Sequence, residues 1–449
     1  MRPLLLPILL SLLAVACDTA PKKPEGGNAE TVPLVGDFKV ERFRLANGLK
    51  LLVVVDRSSP TLAYQTWFDV GSREEVVGRT GLAHLFEHMM FKGTLKHPEG
   101  EFDRLLEGAG AEGLNAFTSR DYTAYIEELP KNKLELIAQV ESDRMLNLIV
   151  DDKSFTTERE VVQNERRYRN ENSPDGTIYQ EIFDVAFKKH PYHWPVIGYE
   201  KDLIAMSAKD ARDFYKAFYA PNHATIAVVG DVDPNQVLEV ITRYYGALPA
   251  SKNLQVPIQP EPEQKEVRRK TLKLNLQVEK LLMAYHIPAV TNPDSIPLEV
   301  LRAVLSNGRS SRLNRALVET GIASSVGSFS LDDKDPSLLM MSASLQKGRK
   351  AAQAESVILK EIERLTRELV SANELERVRN GMSYDFYEGL SNNYEKAEFI
   401  GKYETLTGSF ENAITAFKQQ MKVTPEEIQR VAKLYFAPSS RTVIVGVPK

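Results

Sequence analysis

The chain has 449 residues, of which 43% are hydrophobic and 26% are charged, and its formal net charge is -4 at pH 7. These proportions are typical of soluble globular proteins. The small net charge gives no electrostatic footprint for nucleic acid, so we expect no nucleic-acid partner. The length exceeds that of a typical single core, so we expect two or more domains.

Residues 1–16 are expected to be a signal peptide. An apolar run follows Arg2 and extends from Pro3 to Ala16, which is too short to span a bilayer as a helix. The run ends in the sequence LAVA before Cys17, and small residues before a cysteine resemble the lipobox of bacterial lipoproteins. Cys17 is the only cysteine, so no internal disulfide can form and we interpret Cys17 as a lipidation site. The alternative is a plain secretory signal that is cleaved nearby.

Lipidation at Cys17 predicts a bacterial cell-envelope protein that is anchored to a membrane and exposed to the periplasm. Asp18 follows the cysteine, and this position resembles the inner-membrane retention signal of enteric bacteria, which favours the inner membrane. Residues 17–37 are polar and rich in Pro, Gly and Lys. We interpret them as a flexible tether between the anchor and the folded part.

The predicted elements then alternate between strands and helices. A hairpin turns at Asn47-Gly48, because apolar residues alternate along the segment from Leu49 to Val55. The periodicity next predicts a strand at 62–70, helices within 80–110, a strand at 115–128, helices at 132–150, 156–170 and 207–219, and a buried strand at 224–229.

An internal repeat predicts two domains. A helix that opens at Ser207 and ends in an aromatic pair, Ala-Pro and an apolar strand recurs in the same register further along the chain, opening at Thr424. The simplest interpretation is an α+β fold with two homologous tandem domains, although two unrelated domains could end alike. We place the first domain at 38–248, a proline-rich linker at 249–268 and the second domain at 269–449.

The motif His84-Leu85-Phe86-Glu87-His88 carries the chemistry. His84 and His88 are four residues apart in a helical pattern, so both imidazoles project from one face at the spacing that two zinc ligands need. Glu87 lies on the same side and can act as a general base on a metal-bound water. This is the arrangement of zinc peptidases with the motif order reversed. The alternative is two surface histidines and a glutamate on one helix.

A zinc site needs a third protein ligand, and the charged segment 156–167 offers candidates. Glu158, Glu160 and Glu165 all lie in it, and the spacing alone does not choose among them. Glu158 and Glu165 are two helical turns apart and can face the same partner. The alternative interpretation of the segment is a solvated helix face.

These motifs resemble the pitrilysin family, the inverzincins that include insulin-degrading enzyme and the mitochondrial processing peptidase. The pattern of that family is H-x-x-E-H-x76-E, in which the last glutamate is a metal ligand, and the interval between His88 and Glu165 fits this pattern. The resemblance therefore implies Glu165 as the third ligand of one zinc ion per chain, and Glu158 as a residue that orients a ligand. Further matching segments are 115–118, 191–193, 218–222 and 310–313.

The resemblance also implies a fold and a mode of substrate binding. The two halves would each hold a mostly antiparallel sheet packed with helices and would face each other across a chamber. An extended or unfolded peptide would add a strand at a sheet edge near Asn115, Ala116 and Thr118. His193 and His223 are not at ligand spacing, and we interpret them as structural or surface residues.

The second half departs from the pattern of the family that it resembles. Active members of that family carry an Arg and a Tyr there, seven residues apart, that stabilise the oxyanion on the scissile carbonyl. Leu317 and Ser324 occupy those positions here, and neither supplies a charged or phenolic donor. We therefore expect a heterodimer in which a homologous chain supplies the Arg-Tyr pair; a homodimer is the other arrangement considered.

Two alternatives remain open at this point. In the first, the chain is a self-sufficient peptidase in which Arg309 or Arg315 replaces the missing pair. In the second, it is a non-catalytic peptide-binding or assembly subunit of a membrane-anchored complex. The complete set of His84, Glu87, His88 and Glu165 argues against the second, because a structural role does not need it.

Overall fold

A computed structural model describes residues 30–252 and 256–449. The predicted signal peptide, Cys17 and Asp18 lie outside these ranges. In the described residues, two sheets each form the centre of one half of the chain. Seven strands form the first sheet: β1 (Glu30–Pro33), β2 (Lys39–Arg44), β3 (Lys50–Val55), β4 (Thr61–Phe68), β5 (Glu112–Thr118), β6 (Thr123–Pro130) and β7 (Ala224–Gly230). Five form the second: β8 (Arg268–Leu274), β9 (Lys280–Ile287), β10 (Ala323–Ser330), β11 (Ser337–Leu345) and β12 (Arg441–Pro448).

The two sheets share one topology. The first has the order β1-β2-β3-β7-β4-β6-β5, and the second has the order β10-β11-β9-β12-β8. When β8 is matched to β3 and β12 to β7, the five strands of the second sheet correspond in order to five of the first. The pair β3–β7 and its counterpart β12–β8 are both parallel, whereas the other pairs are antiparallel. The predicted α+β fold with two homologous halves is confirmed.

The helices follow the same division. The first half contains α1 (Leu82–Met89), α2 (Glu101–Gly108), α3 (Leu134–Asn147), α4 (Asp152–Arg166), α5 (Pro174–Ala186), α6 (Glu200–Ala205), α7 (Ala208–Phe218) and α8 (Pro234–Tyr245). The second contains α9 (Ser295–Ser306), α10 (Ala351–Arg367), α11 (Ala372–Glu388), α12 (Asn393–Thr407), α13 (Glu411–Gln420) and α14 (Pro425–Tyr435). The repeated helices α7 and α14 both begin with a capping box, at Ser207 and Thr424.

The halves interlock through two helices. Helix α12 of the second half packs on β4 and β7 of the first sheet, and α5 of the first half packs on β8, β9 and β12 of the second sheet. Both faces of each sheet are therefore covered. This explains the composition of β3, where Leu51 and Val53 enter one core and Leu52 and Val54 enter another. The predicted chamber between the halves stays a prediction.

Two local expectations are corrected. The tether does not extend to residue 37, because β1 pairs with β2 and buries Val32 and Leu34 against α12 and α13. The segment 115–128 is a hairpin of β5 and β6 that turns at residues 119–122, where Ser119 accepts backbone N–H groups with its side chain. The helices expected within 80–110 are α1 and α2, which residues 90–100 separate.

The predicted domain boundaries at residues 248 and 269 stay predictions. In the predicted linker, Glu261 accepts the backbone N–H groups of Lys188 and Lys189 at 2.8 and 2.9 Å, which ties the linker to the end of α5. Within residues 30–252 and 256–449, every helix falls short of the length and apolar character that crossing a membrane requires.

Candidate metal centre

Helix α1 presents His84, Glu87 and His88 on one face. Its other residues anchor it, because Leu82, Ala83, Leu85, Phe86 and Met89 are buried in the core of the first half. The ring centroids of the two histidines are 4.8 Å apart. Potential ligand atoms of the three side chains all lie within 4.8 Å of one another. The predicted motif thus forms one compact cluster.

The start of α1 is fixed by a buried carboxylate. Glu75 accepts the backbone N–H groups of Gly81 at 2.9 Å and Ala83 at 2.8 Å, which satisfies two donors that a helix start leaves unpaired. Burial raises the pKa of Glu75 well above its usual range, against the effect of these hydrogen bonds. Gly81 adopts a φ of +91°, and a Cβ there would lie 2.5 Å from the carbonyl oxygen of Ile197. Only glycine fits this close approach.

Helix α4 brings Glu165 to the cluster. Its Oε1 lies 3.8 Å from Nε2 of His84, and its Oε2 lies 3.2 Å from Nε2 of His88. The packing of α4 against α1 sets this position. Glu160, the third candidate from the sequence, is exposed to solvent. Sequence spacing alone did not distinguish Glu158, Glu160 and Glu165. In the structure, the carboxylate of Glu165 lies near Nε2 of both imidazoles.

Glu158 contacts the other side of His88. Its Oε1 lies 2.8 Å from Nδ1 of His88, and its Oε2 lies 2.5 Å from Nζ of Lys92. A carboxylate at one ring nitrogen fixes the tautomer and leaves the other nitrogen free for a metal. Burial disfavours protonation of His88, but the hydrogen bonds to Glu158 and Glu165 outweigh it and raise its pKa to about 9 in the metal-free chain.

His84 has the opposite electrostatic environment. Burial, followed by the neighbouring charge of His88, lowers the pKa of His84 to about 4. Its ring is therefore neutral near pH 7, which is the form that binds metals. Its Nδ1 atom is buried and has no hydrogen-bond partner among the described residues. Two imidazoles and a carboxylate around one point match the donor set of a catalytic zinc site.

Glu87 is held by the end of strand β5. The hydroxyl group of Thr118 donates a short hydrogen bond to Oε2 of Glu87. Burial raises the pKa of Glu87, while the bond from Thr118 and the charge of His88 oppose the rise. A carboxylate with a raised pKa beside two imidazoles is suited to accept and return a proton.

The predicted substrate-binding residues lie on an edge strand. Among the described strands β5 pairs with β6 alone, so no strand covers its other edge. Asn115 is exposed, and its Oδ1 accepts the backbone N–H of Ala116 at 2.9 Å. Thr118, the third predicted residue, instead contacts Glu87.

Sequence reasoning missed Arg169. The chain continues from α4 into a π-helical turn, Arg167–Glu171, and NH1 of Arg169 lies 2.7 Å from Oε1 of Glu165. The Arg169 side chain is 68% exposed. The signal in the sequence is the four-residue spacing after Glu165, which places the two side chains on one face only if the helix continues.

Leu317 and Ser324, which occupy the positions predicted for the oxyanion donors, have different environments. Leu317 is fully buried in the core of the second half, whereas Ser324 is exposed on β10 and donates to the carbonyl oxygen of Ser344 at 3.2 Å. Arg315 lines a cavity of about 560 Å³ together with Arg312, and Arg309 is exposed. In residues 30–252 and 256–449, no hydrogen bond or ion pair joins any of these side chains to the histidine cluster.

The matching segment 191–193 has structural contacts. The hydroxyl group of Tyr192 donates to Asp121 at 2.8 Å and accepts the backbone N–H of Asp335 from the second half at 3.1 Å. Nδ1 of His193 lies 2.9 Å from the carbonyl oxygen of Phe187. The segment 191–193 therefore contributes to the contact between the halves, and within the described chain His193 and His223 are not part of the metal cluster.

Comparisons with known proteins agree with this fold and identify the family. The family description "Insulinase (Peptidase family M16)" matches residues 51–199, and "Peptidase M16 inactive domain" matches residues 205–382. Zinc protease PqqE of Helicobacter pylori is 30% identical over 416 residues, which cover 91% of this chain and 93% of that protein. Both halves thus point to a class of zinc proteases. The chain belongs to peptidase family M16.

More distant relatives and solved structures extend the comparison. The mitochondrial-processing peptidase subunit beta of Lentinula edodes is 24% identical over 90% of this chain and 89% of that protein. A crystal structure of a protease from Helicobacter pylori superposes with a TM-score of 0.87 at 29% identity, covering 92% of this chain and 100% of that one. The periplasmic protease PqqL from Escherichia coli gives a TM-score of 0.75 at 20% identity, covering 94% of this chain and 48% of that one, which shows the shared fold.

Proposed function

We propose that this chain is a zinc-dependent endopeptidase that hydrolyses extended or unfolded peptides. His84, His88 and Glu165 hold one zinc ion, and Glu87 is the general base. The observation that carries the proposal is the position of Glu165, whose two oxygens lie 3.8 and 3.2 Å from the Nε2 atoms of the two histidines. The family membership supports the same activity.

Each residue of the proposed site has a separate role in catalysis. Zinc bound at this site supplies a Lewis acid that polarises the peptide carbonyl and lowers the pKa of water. Glu87 takes the proton of the attacking water and returns it to the leaving amine. Thr118 orients Glu87 through its hydroxyl group, and Glu158 orients His88 through Nδ1.

The free edge of β5 is the proposed peptide-binding site. An extended peptide pairs there with the backbone near Asn115 and Ala116, and Thr118 at the end of the same strand contacts Glu87. Main-chain pairing of this kind brings a scissile bond to the metal centre with little dependence on side chains. It also selects against folded proteins, because their backbone groups are already paired.

A second chain of the family completes the proposed site. Leu317 is buried and Ser324 is a short hydroxyl side chain, so neither supplies the Arg-Tyr pair. Removing one oxyanion donor typically lowers kcat by about a hundredfold or more. We therefore propose a heterodimer with a homologous chain that carries the pair, with a homodimer as the second arrangement.

A non-catalytic peptide-binding or assembly subunit is the second candidate function. One observation favours it, since residues 205–382 match the inactive domain of the family. The cluster of His84, Glu87 and His88 argues against it, because a purely structural subunit does not need a buried base beside two imidazoles. The proposed location is the bacterial cell envelope, with lipid on Cys17 as the anchor.

Cleavage of an unstructured, internally quenched peptide tests these proposals. The chain without its predicted signal peptide is assayed alone with zinc, beside Glu87→Gln, and the zinc content of both is measured. Cleavage that Glu87→Gln abolishes supports the peptidase and overturns the need for a partner. Stoichiometric zinc without cleavage supports a missing oxyanion donor. Failure to bind zinc overturns the peptidase and leaves the non-catalytic function.

A further inference from the structure

We propose that Arg169 selects peptides with an acidic side chain next to the scissile bond. This inference rests on the proposed function, because it assigns a substrate preference to the same site. Arg169 belongs to the π-helical turn after α4, and its NH1 atom lies 2.7 Å from Oε1 of Glu165. A single carboxylate therefore separates this guanidinium group from the two histidines.

The guanidinium group of Arg169 has unused hydrogen-bonding capacity. Its side chain is 68% exposed, and among the described residues it forms an ion pair with Glu165 alone. Its Nε and NH2 atoms are left for other partners. An arginine presents several N–H donors in a planar fork that matches a carboxylate, so an acidic side chain is the best partner for this group.

A metal ion at this site would compete with Arg169 for its one carboxylate partner. Arg169 contacts Glu165, and Glu165 is a proposed ligand of the metal. Glu158 on the other side of His88 is already paired with Lys92 at 2.5 Å. With Glu165 shared by the metal, the exposed guanidinium group of Arg169 would be available to an anionic group of the substrate.

Other charged groups on the same turn are already paired. Arg167 contacts Glu200 at 2.9 Å, and Glu171 lies 3.8 Å from Arg166. Within this turn, Arg169 is therefore the charged residue that contacts the proposed metal ligand.

The contacts of the cluster also indicate where the acidic side chain of the peptide would lie. Strand β5 touches the cluster through Glu87, and the π-helical turn touches it through Glu165. The cluster thus contacts both the strand that would pair with the peptide backbone and the turn that carries Arg169. Successive side chains of an extended peptide point to opposite sides, and the proposal places one of those beside the scissile bond at that turn.

Peptide binding tests this preference without requiring turnover. Fluorescent peptides that differ only by Asp, Gln or Lys near the centre are titrated into the zinc-loaded full chain carrying Glu87→Gln, and the anisotropy gives each Kd. We expect the Asp peptide to bind about fivefold more tightly than the Gln peptide, as for a partly solvated ion pair. Adding Arg169→Gln should remove this difference, and Arg169→Glu should reverse the order of Asp and Lys.

The control is Arg167→Glu, which makes the same charge change two residues away on the same turn. It should leave the Asp preference in place, and the zinc content of every variant is measured. Equal affinities for all peptides in the Arg169-containing chain, or loss of preference in both charge variants, would overturn the proposal. Loss of zinc in Arg169→Gln would also overturn it, because Arg169 would then act by holding Glu165. Because binding is measured in the Glu87→Gln chain, the peptide preference can be present or absent whether or not the parent chain cleaves peptides. The two proposals can therefore fail separately.

Discussion

Oε1 of Glu158 lies 2.8 Å from Nδ1 of His88, and this contact joins helix α4 to helix α1. The same carboxylate contacts Lys92, which lies four residues after His88. Glu158 is buried, whereas Glu160 on the same helix is exposed. Glu158 contacts Nδ1 of His88, and Glu165 contacts Nε2. The buried carboxylate of Glu158 therefore holds the His88 ring in one orientation.

Replacing Glu158 should therefore weaken zinc binding without removing a ligand. We expect Glu158→Gln to lower the zinc affinity by about 10- to 100-fold, because the orientation and basicity of His88 depend on this partner. Competition with a chromogenic chelator measures the change. Glu160→Gln is the control and should retain the affinity of the parent chain; equal losses in both variants would contradict the assignment.

Removal of Glu75 should destabilise the first half. Glu75→Ala leaves the backbone N–H groups of Gly81 and Ala83 buried without partners. We expect a loss of about 2 kcal/mol or more in the free energy of unfolding, since each unsatisfied buried donor costs roughly 1–3 kcal/mol. Urea denaturation measures it. Glu107→Ala, an exposed position on α2, should change the value by less than about 0.5 kcal/mol.

The contact between the halves should weaken in acid. Asp335 of the second half lies 2.5 Å from Nε of Arg73 and 3.1 Å from Nε2 of His190, both in the first half. Burial disfavours the charged form of Asp335, but the bonds to His190 and Arg73 prevail and lower its pKa from 3.8 to about 2. The folded pKa is thus below the unfolded one, so the stabilisation is complete above about pH 4 and is lost as the pH falls towards 2.

Unfolding free energies of the parent chain and Asp335→Asn should follow that window. We expect the parent to be more stable above about pH 4, and the difference to shrink as the pH approaches 2. Asp213→Asn, at an exposed ion pair with Lys209, is the control and should show little difference at any pH. A difference between the parent and Asp335→Asn that is constant with pH would contradict this origin.

Restoring the family's missing pair should fail in this chain. Leu317 is fully buried among apolar residues, so Leu317→Arg places an unpaired charge in the core and should cost about 3 kcal/mol or more. Ser324 is exposed, and Ser324→Tyr should be tolerated within about 0.5 kcal/mol. Thermal unfolding compares the two. A stable Leu317→Arg chain that cleaves peptides alone would contradict both the burial argument and the partner hypothesis.

Local patterns predicted much of the fold. The helical spacing of His84 and His88 places both rings on one face, and the internal repeat that opens at Ser207 and Thr424 corresponds to the helix–strand pairs α7–β7 and α14–β12. These features depend on residues that are close together in the chain, so the periodicity of the sequence predicts them. The hairpin at 112–130 was missed because its turn at Ser119 is made by side-chain hydrogen bonds and contains no glycine or proline.

The sequence by itself determined the donor types and the spacing of the helix motif, and it predicted Glu165 as the third ligand through the family's interval after that motif. It also determined that Leu317 and Ser324 cannot supply the family's Arg-Tyr pair. These conclusions need only residue identity and distance along the chain.

Only the tertiary structure decided which groups surround the cluster. Thr118 contacts Glu87 because β5 ends beside α1, and Arg169 contacts Glu165 because α4 continues into a π-helical turn. The exchange of α5 and α12 between the halves is likewise absent from any local pattern, since each helix packs on a sheet that lies far away in sequence. Such contacts arise from packing between distant segments. Burial in that packing lowers the pKa of His84 and raises that of Glu87, whereas at His88 burial is outweighed by the hydrogen bonds to Glu158 and Glu165, which raise the pKa.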